Sequence, residues 1–192
     1  MSLQKINTRT IVLILMMLLI SLGRLLSYEF PHTLSNFTPL GAIALFGGAY
    51  FTDKWKAYLV VLATLFLSDI FINYLYTSKL ILWYSGAIWV YVPFLVMVFI
   101  GSFIKKASVV NVTLSSVIAV CFHWLVTDLP WFYGDRYPHT LGGYGQSLVA
   151  ALIPFECNML FGDIVFCAIL FGGFELAKSK YTALRSKREL AL

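Results

Sequence analysis

Long apolar runs limit what this chain can fold into more than any other feature. A helix of about 20 apolar residues crosses hydrocarbon about 30 Å thick, because each residue adds about 1.5 Å. Five runs reach or approach that length: residues 10–27, 55–76, 80–104, 108–128 and 146–174. A sixth run, 38–52, is shorter and rich in glycine and alanine, so we expect it to be tilted, broken or shielded by its neighbours.

The composition agrees with a bilayer as the solvent. The chain is 60% hydrophobic and 12% charged, whereas soluble domains carry about 25% charged residues. No linker or internal repeat is visible. The sequence therefore predicts one domain, residues 1–192, an all-α integral membrane bundle of six transmembrane helices.

The placement of basic residues predicts the orientation. If the N-terminus is cytoplasmic, only Arg24, Lys79 and Arg136 of the 14 lysines and arginines fall in outer segments. Cytoplasmic segments are enriched in basic residues, so both termini are predicted inside (N-in/C-in). The basic residues form short clusters between apolar runs and predict no nucleic-acid partner.

Acidic side chains inside apolar runs need a physical explanation. Four lie within or beside the runs: Asp69, Asp128, Glu156 and Asp163. Charges in a membrane are costly and generally face a cavity or a partner. Two interpretations stay open: bonds across helices or to backbone near Pro93 and Pro154, or the lining of a ligand pocket.

Polar and aromatic residues cluster toward the predicted outer side. Asp69 and Asn73 are four apart and share a helix face, while Trp124, Asp128 and Trp131 follow spacings of four and three. Such aromatics are typical of an interfacial belt and also of a stacking pocket.

We predict a ligand pocket beneath an outer loop at 129–145, bounded by the third, fifth and sixth helices. Asp128 would hydrogen-bond the ligand and Trp124 would pack against it. The predicted ligand-binding residues are Asn36, Asp69, Asn73, Trp83, His123, Trp124, Asp128, Trp131 and Glu156.

Close helix packing is expected around Gly47 and Gly48, because small residues let helix backbones approach. Cys121, Cys157 and Cys167 lie in apolar runs without CxxC spacing, which leaves their redox state open.

No catalytic, metal or nucleotide-binding motif is found, so the sequence predicts no enzyme, no metal and no cofactor. One alternative is an intramembrane enzyme using His123 and Asp128 as an acid–base pair. Five residues apart on a helix, they would point about 140° apart, which weighs against it. A structural or assembly subunit, whose acids pair helices, is the other alternative.

Three stretches resemble an uncharacterised bacterial family of proposed membrane transport proteins. They are residues 36–50 (NFTPLGAIALFGGAY), 67–69 (LSD), and 137–144 (YPHTLGGY) running into 151–163 (ALIPFECNMLFGD). The resemblance implies a multi-pass protein of the bacterial cytoplasmic membrane.

More distantly, the layout is similar to the substrate-binding S-components of energy-coupling factor (ECF) transporters. That resemblance implies capture of a small, vitamin-like solute from the outer face and a separate coupling and ATPase module as partner. The first helix lacks the alanines four apart that typically dock S-components on that module. A solitary transporter or a different partner therefore stays open.

Overall fold

The computed structural model describes residues 7–186, apart from the side chains at 133 and 134. Over these residues the fold is all-α, with no strand. The helices are α1 (Thr8–Glu29), α2 (Leu40–Tyr50), α3 (Lys54–Thr77), α4 (Ala87–Gly101), α5 (Val109–Thr127) and α6 (Leu141–Lys180). The predictions of an all-α protein and of six helices are confirmed.

Four of the six helices, α1, α3, α5 and α6, are long and apolar enough to cross a membrane. The remaining two, α2 and α4, have 11 and 15 residues, which correspond to about 16 and 22 Å. The short α2 agrees with the prediction for residues 38–52, whereas α4 is shorter than the predicted run 80–104. The architecture is that of a multi-pass helical membrane protein.

Helix α4 is shorter than the predicted 80–104 because its beginning is set by a turn. Ser78 has a φ of 54° and ends α3, and Gly86 has a φ of 85° just before α4. A positive φ cannot continue a right-handed helix. Residues 78–86 therefore form a connection between α3 and α4.

Helix α2 lies at the centre of the bundle. Residues 42–46 are completely buried, so α2 is shielded by its neighbours, one of the expected alternatives. A Cβ on Gly48 would lie 2.1 Å from the carbonyl oxygen of Val98, and one on Gly101 would lie 2.3 Å from that of Leu45. The backbones of α2 and α4 are therefore in direct contact, as predicted for Gly48.

Gly47 has a different environment. A Cβ there would meet side-chain atoms and no backbone: Met17 Cε at 3.3 Å, Val61 Cγ2 at 3.5 Å and Ala57 Cβ at 3.8 Å. Of the two adjacent glycines, Gly48 is the one that the helix crossing requires.

Helix α6 begins five residues earlier than expected. The Thr140 side chain accepts a hydrogen bond from the Gly143 amide and caps the helix. The predicted outer loop at 129–145 is thus partly helical, with a short 3₁₀ segment at Pro130–Arg136. Farther along, α6 bends at Leu152–Glu156, where Ile153 leaves helical dihedral angles.

Two ends of the bundle can be distinguished. The distal end is formed by the connections 30–39, 78–86 and 128–140. Asn158 donates to the carbonyl of Ser35 at 3.0 Å, and the rings of Trp89 and Phe132 lie 5.1 Å apart. The first contact attaches the connection 30–39 to α6, and the second attaches the connection 128–140 to α4.

The proximal end contains the connections 51–53 and 102–108. There Arg9 donates to Thr52 at 3.3 Å, and the Tyr50 hydroxyl donates to Glu175 at 2.6 Å. Charged and hydroxyl groups therefore join the first, second and last helices at this end.

Candidate functional site

An ion pair between α1 and α3 lies toward the distal end. Arg24 Nη1 is 2.6 Å from Asp69 Oδ1 and also donates to Ser68 Oγ at 2.6 Å. Asp69 is buried. Each charge stabilises the other, because burying a charge without a partner in an apolar environment costs free energy.

Two tyrosines complete the surroundings of Asp69. The Tyr84 hydroxyl donates to Asp69 Oδ2 at 3.3 Å, and Tyr91 of α4 lies beside the same carboxylate. Burial, together with the Asp69 charge, raises the pKa of Tyr84, so its O–H remains available as a donor. The Trp83 ring packs on Tyr91, with ring centroids 5.6 Å apart.

A groove runs between α1 and α3 beside this ion pair, with a cavity volume of about 190 Å³. Its lining residues are Leu18, Ser21, Leu22, Arg24, Leu25, Thr64, Leu67, Ser68, Phe71 and Ile72. The walls are mainly apolar, with a few polar groups on one side. This is the usual composition of a small-molecule site.

A second polar cluster joins α5 to α6. His123 Nδ1 is 3.4 Å from Glu156 Oε1, and both side chains are buried. The Thr127 hydroxyl lies 3.3 Å from the same nitrogen, and the Phe94 ring packs on the imidazole at 5.7 Å. The acid beside His123 is therefore Glu156, and the His123–Asp128 pair of the enzyme hypothesis is not the arrangement found.

Only one of the two carboxylate oxygens of Glu156, Oε1, lies beside a polar partner. Its Oε2 is buried and has no hydrogen-bond partner among the described residues. A buried oxygen of this kind is expensive unless a ligand, a water or a conformational change supplies a donor.

Asp163 lies in the interior of the bundle and is 1% exposed. It packs on Gly41 of α2 so closely that a Cβ there would lie 2.3 Å from Oδ1. Ser116 of α5 lies beside the carboxyl group, but neither oxygen has a partner at normal hydrogen-bond geometry among residues 7–186. Of the interpretations left open by the sequence, a bond across helices is not seen at Asp163.

Trp124 and Asp128 connect helices. The Trp124 indole N–H donates to the Leu148 carbonyl at 3.0 Å, and the Ser147 hydroxyl donates to the Asp128 carbonyl at 2.6 Å. Both bonds attach the end of α5 to the first half of α6. The ligand roles predicted for Trp124 and Asp128 stay predictions.

The remaining predicted residues lie in separate places. Trp131 is exposed and stacks on His139, with centroids 5.5 Å apart. Asn36 is exposed in the 30–39 connection with a φ of 59°, and Asn73 is half-buried on α3. The structure thus brings together Asp69 with Trp83, through Tyr91, and His123 with Glu156.

Comparison with known proteins gives one result. The profile of one protein family, described as a family of unknown function, matches residues 4–184. The chain belongs to the DUF6580 family. No curated protein and no solved structure matches it.

Sequence reasoning missed three residues of the polar cluster around Asp69 in this DUF6580 protein: Arg24, Tyr84 and Tyr91. Arg24 had a usable signal, because an arginine near the end of a membrane helix requires a partner. The tyrosines had none, since interfacial tyrosines are common. Among residues 7–186, no group of three or more His, Cys, Asp or Glu side chains could hold a metal ion.

Proposed function

We propose that this DUF6580 protein is a substrate-binding transport protein of S-component type that captures a small, vitamin-like solute from the outer face. The observation that supports this best is the pair of buried, ionisable clusters around Asp69 and around His123–Glu156. Ionisable groups inside membrane bundles generally mark substrate or ion pathways.

Helix α4 connects the two clusters. Tyr91 lies beside Asp69, and Phe94, three residues later, packs on His123. Residues three apart share a helix face, so the clusters lie at similar depth near α4. A solute between them would meet carboxylates, phenol hydroxyls and aromatic rings, which suit a ring-bearing molecule with several hydrogen-bonding groups.

The proposed orientation places the distal end outside a bacterial cytoplasmic membrane, with both termini inside. The support is the basic-residue distribution described above: the distal segments contain only Arg24, Lys79 and Arg136. A separate coupling and ATPase module remains part of the proposal, although α1 lacks the usual alanine spacing.

The orientation can be tested by labelling. Single cysteines at Lys105 and Asp135, both exposed, would be introduced after replacing the three native cysteines by alanine. In intact cells an impermeant thiol reagent should label position 135 only, and permeabilisation should expose position 105. Labelling of position 105 alone in intact cells would show that the protein has the opposite orientation in the membrane.

The solute site can be tested by binding. Protein purified gently would be searched for a bound small molecule by mass spectrometry, and that molecule titrated into variants. Glu156→Gln keeps the size but removes the charge, so it should weaken binding by about 1.5–3 kcal/mol, the range for hydrogen bonds to charged groups. Asp128→Asn tests the predicted pocket beneath residues 129–145 in the same assay.

The matched control is Lys105→Gln, which changes an exposed charge at the proximal end and should leave affinity unchanged. If Lys105→Gln abolishes binding while Glu156→Gln and Asp128→Asn bind normally, capture at the distal end is refuted.

A structural or assembly subunit is the second candidate. The bonds from Trp124 to Leu148 and from Ser147 to Asp128 favour it, because they use predicted site residues to join helices. This alternative expects no retained solute. It also expects Trp124→Ala to lower thermal stability without any ligand effect.

A further inference from the structure

Asp163 differs from the buried acids of the two polar clusters. Asp69 has an arginine beside it, and Glu156 has a histidine. Neither oxygen of Asp163 has a hydrogen-bond partner among the described residues, and the side chain is 1% exposed. An isolated carboxylate in an apolar interior is so costly that such a group takes up a proton instead.

Among the described residues, no basic side chain is placed to balance a charge on Asp163. Helices α2 and α5, which pack on it, and the neighbouring α4 contain no lysine or arginine. The lysines of α6 begin only at Lys178, about 22 Å farther along the helix. Of the two arginines of α1, Arg24 is paired with Asp69 and Arg9 lies at the proximal end.

The groups that do face Asp163 are a thiol and a hydroxyl. Cys167 lies one turn farther along α6, with its Sγ 3.6 Å from the Oγ of Ser116 on α5. The other titratable side chains of α2, α4, α5 and the 30–39 connection lie elsewhere: Tyr50 with Glu175, Tyr91 beside Asp69, His123 beside Glu156, and His32 and Cys121 at the surface. A neighbouring positive charge is therefore not found on these elements.

The packing of α2 on α6 brings backbone close to Asp163. A Cβ on Gly41 would collide with Oδ1, and one on Gly162 would lie 3.1 Å from the amide nitrogen of Thr38. A hard metal cation needs about six oxygen ligands, whereas the side-chain oxygen beside this carboxyl group is that of Ser116. A proton needs neither a cavity nor a ligand shell, so it is the cation that fits.

Aromatic rings close the proximal side of the same interface. Phe46 of α2 lies 5.4 Å from Phe171 and 5.7 Å from Phe174 of α6, measured between ring centroids, and all three are buried. They follow Gly41 and Asp163 toward the proximal end. While α2 stays packed on α6, water does not reach the carboxyl group from that side.

We propose that Asp163 is a proton-binding site and that its proton keeps α2 packed on α6. With the proton bound, the neutral carboxyl group lies against Gly41 in the closed interface. Without it, the carboxylate needs water or a donor, which it gains only when α2 moves away from α6. The site stands on this packing and does not depend on the transport function proposed above. Within that function, the proton is the ion that a movement of α2 would release.

Infrared spectroscopy detects this proton directly. The sample is the full chain in dodecyl maltoside micelles, since this detergent contains no carbonyl group. At about pH 7, about three units above the pKa of a free aspartate, the wild type should show the carbonyl band of a protonated carboxyl group. The band should lie at the high-frequency end of its range, because no donor bonds to Asp163, and alkaline titration should remove it.

Asp163→Asn keeps the shape of the neutral acid and should abolish the band. The matched control is Asp53→Asn, at an exposed acid of the proximal end, which should leave the band unchanged. If Asp163→Asn does not fold, isotope labelling of the unaltered chain answers the same question. Carbon-13 in the aspartate carboxyl groups should then shift the band to lower frequency, and carbon-13 in glutamate should not.

The proton also makes the stability of the bundle depend on pH. An unfolded chain ionises Asp163 above about pH 4, whereas the folded chain keeps it neutral, so folding takes up a proton and stability falls as pH rises. Over the range in which the infrared band persists, the ratio of unfolded to folded wild type should rise about tenfold per pH unit relative to Asp163→Asn.

Four outcomes would overturn the site. Absence of the band from the wild type at neutral pH would mean that Asp163 is ionised in the closed interface. Loss of the band in Glu156→Gln but not in Asp163→Asn would assign the proton to Glu156. Loss of the band when sodium replaces choline at constant pH would indicate a metal cation. Equal pH dependence of unfolding in the wild type and Asp163→Asn would separate the proton from the packing of α2.

Discussion

Alanine in place of Gly48 is expected to lower the free energy of unfolding by about 3 kcal/mol or more, the upper part of the range for overpacking. The reason is that the added methyl group would lie 2.1 Å from the Val98 carbonyl oxygen and 2.9 Å from the Ser102 amide nitrogen. Both are backbone atoms of the α4 region, so no side-chain rotation relieves the contact. Helices α2 and α4 would have to separate.

The matched control is Gly172→Ala. Gly172 is helical and has no neighbour within 4 Å of an added Cβ, so alanine should stabilise by about 0.5–1 kcal/mol. Reversible unfolding in mixed detergent micelles measures both changes. If Gly48→Ala unfolds like the wild type, the two helices do not cross at that glycine.

Removing one member of the Arg24–Asp69 pair is expected to cost about 3–5 kcal/mol, because the other charge is left buried without a partner. Arg24→Met and Asp69→Leu should each show this loss. The double variant should recover most of the stability, since replacing both charges by apolar groups is often neutral. The measurement is a double-mutant cycle by the same unfolding assay.

The cycle also has a clear negative result. If the two losses add without recovery in the double variant, the charges are not coupled and the 2.6 Å contact does not describe the folded protein in a membrane. Lys56→Met, at an exposed ion pair of the proximal end, should change stability by less than about 1 kcal/mol.

Helix number was predictable because it follows from apolar length. For residues 38–52 the small-residue content gave shielding by neighbours as one of three expectations, beside a tilted and a broken helix. The ends of the helices were less predictable. Helices α4 and α6 begin at residues other than those predicted. The positive φ of Gly86 sets the beginning of α4, and capping by Thr140 sets the beginning of α6. Hydropathy averages over about 20 residues and does not resolve such local signals.

The polar clusters were predictable only in part. Asp69, His123 and Glu156 stand out because charged or polar groups are rare in apolar runs. Their partners could not be assigned, since Arg24 is 45 residues from Asp69 and Glu156 is 33 residues from His123 along the chain. Helix spacing describes one helix at a time, and these pairs depend on which helices are neighbours.

The central position of α2 also determines when this helix can be completely surrounded during synthesis of the chain. Its eleven residues are too short to remain across a bilayer alone. Residues from near the other end of the chain pack on α2 and on the connection just before it: Asp163 on Gly41, and Gly162 on the backbone of Thr38. A ribosome must synthesise α6 before this helix has its complete surroundings. Until then α2 depends on the insertion machinery or on a chaperone, and a chain truncated before residue 157 should be degraded rather than accumulate.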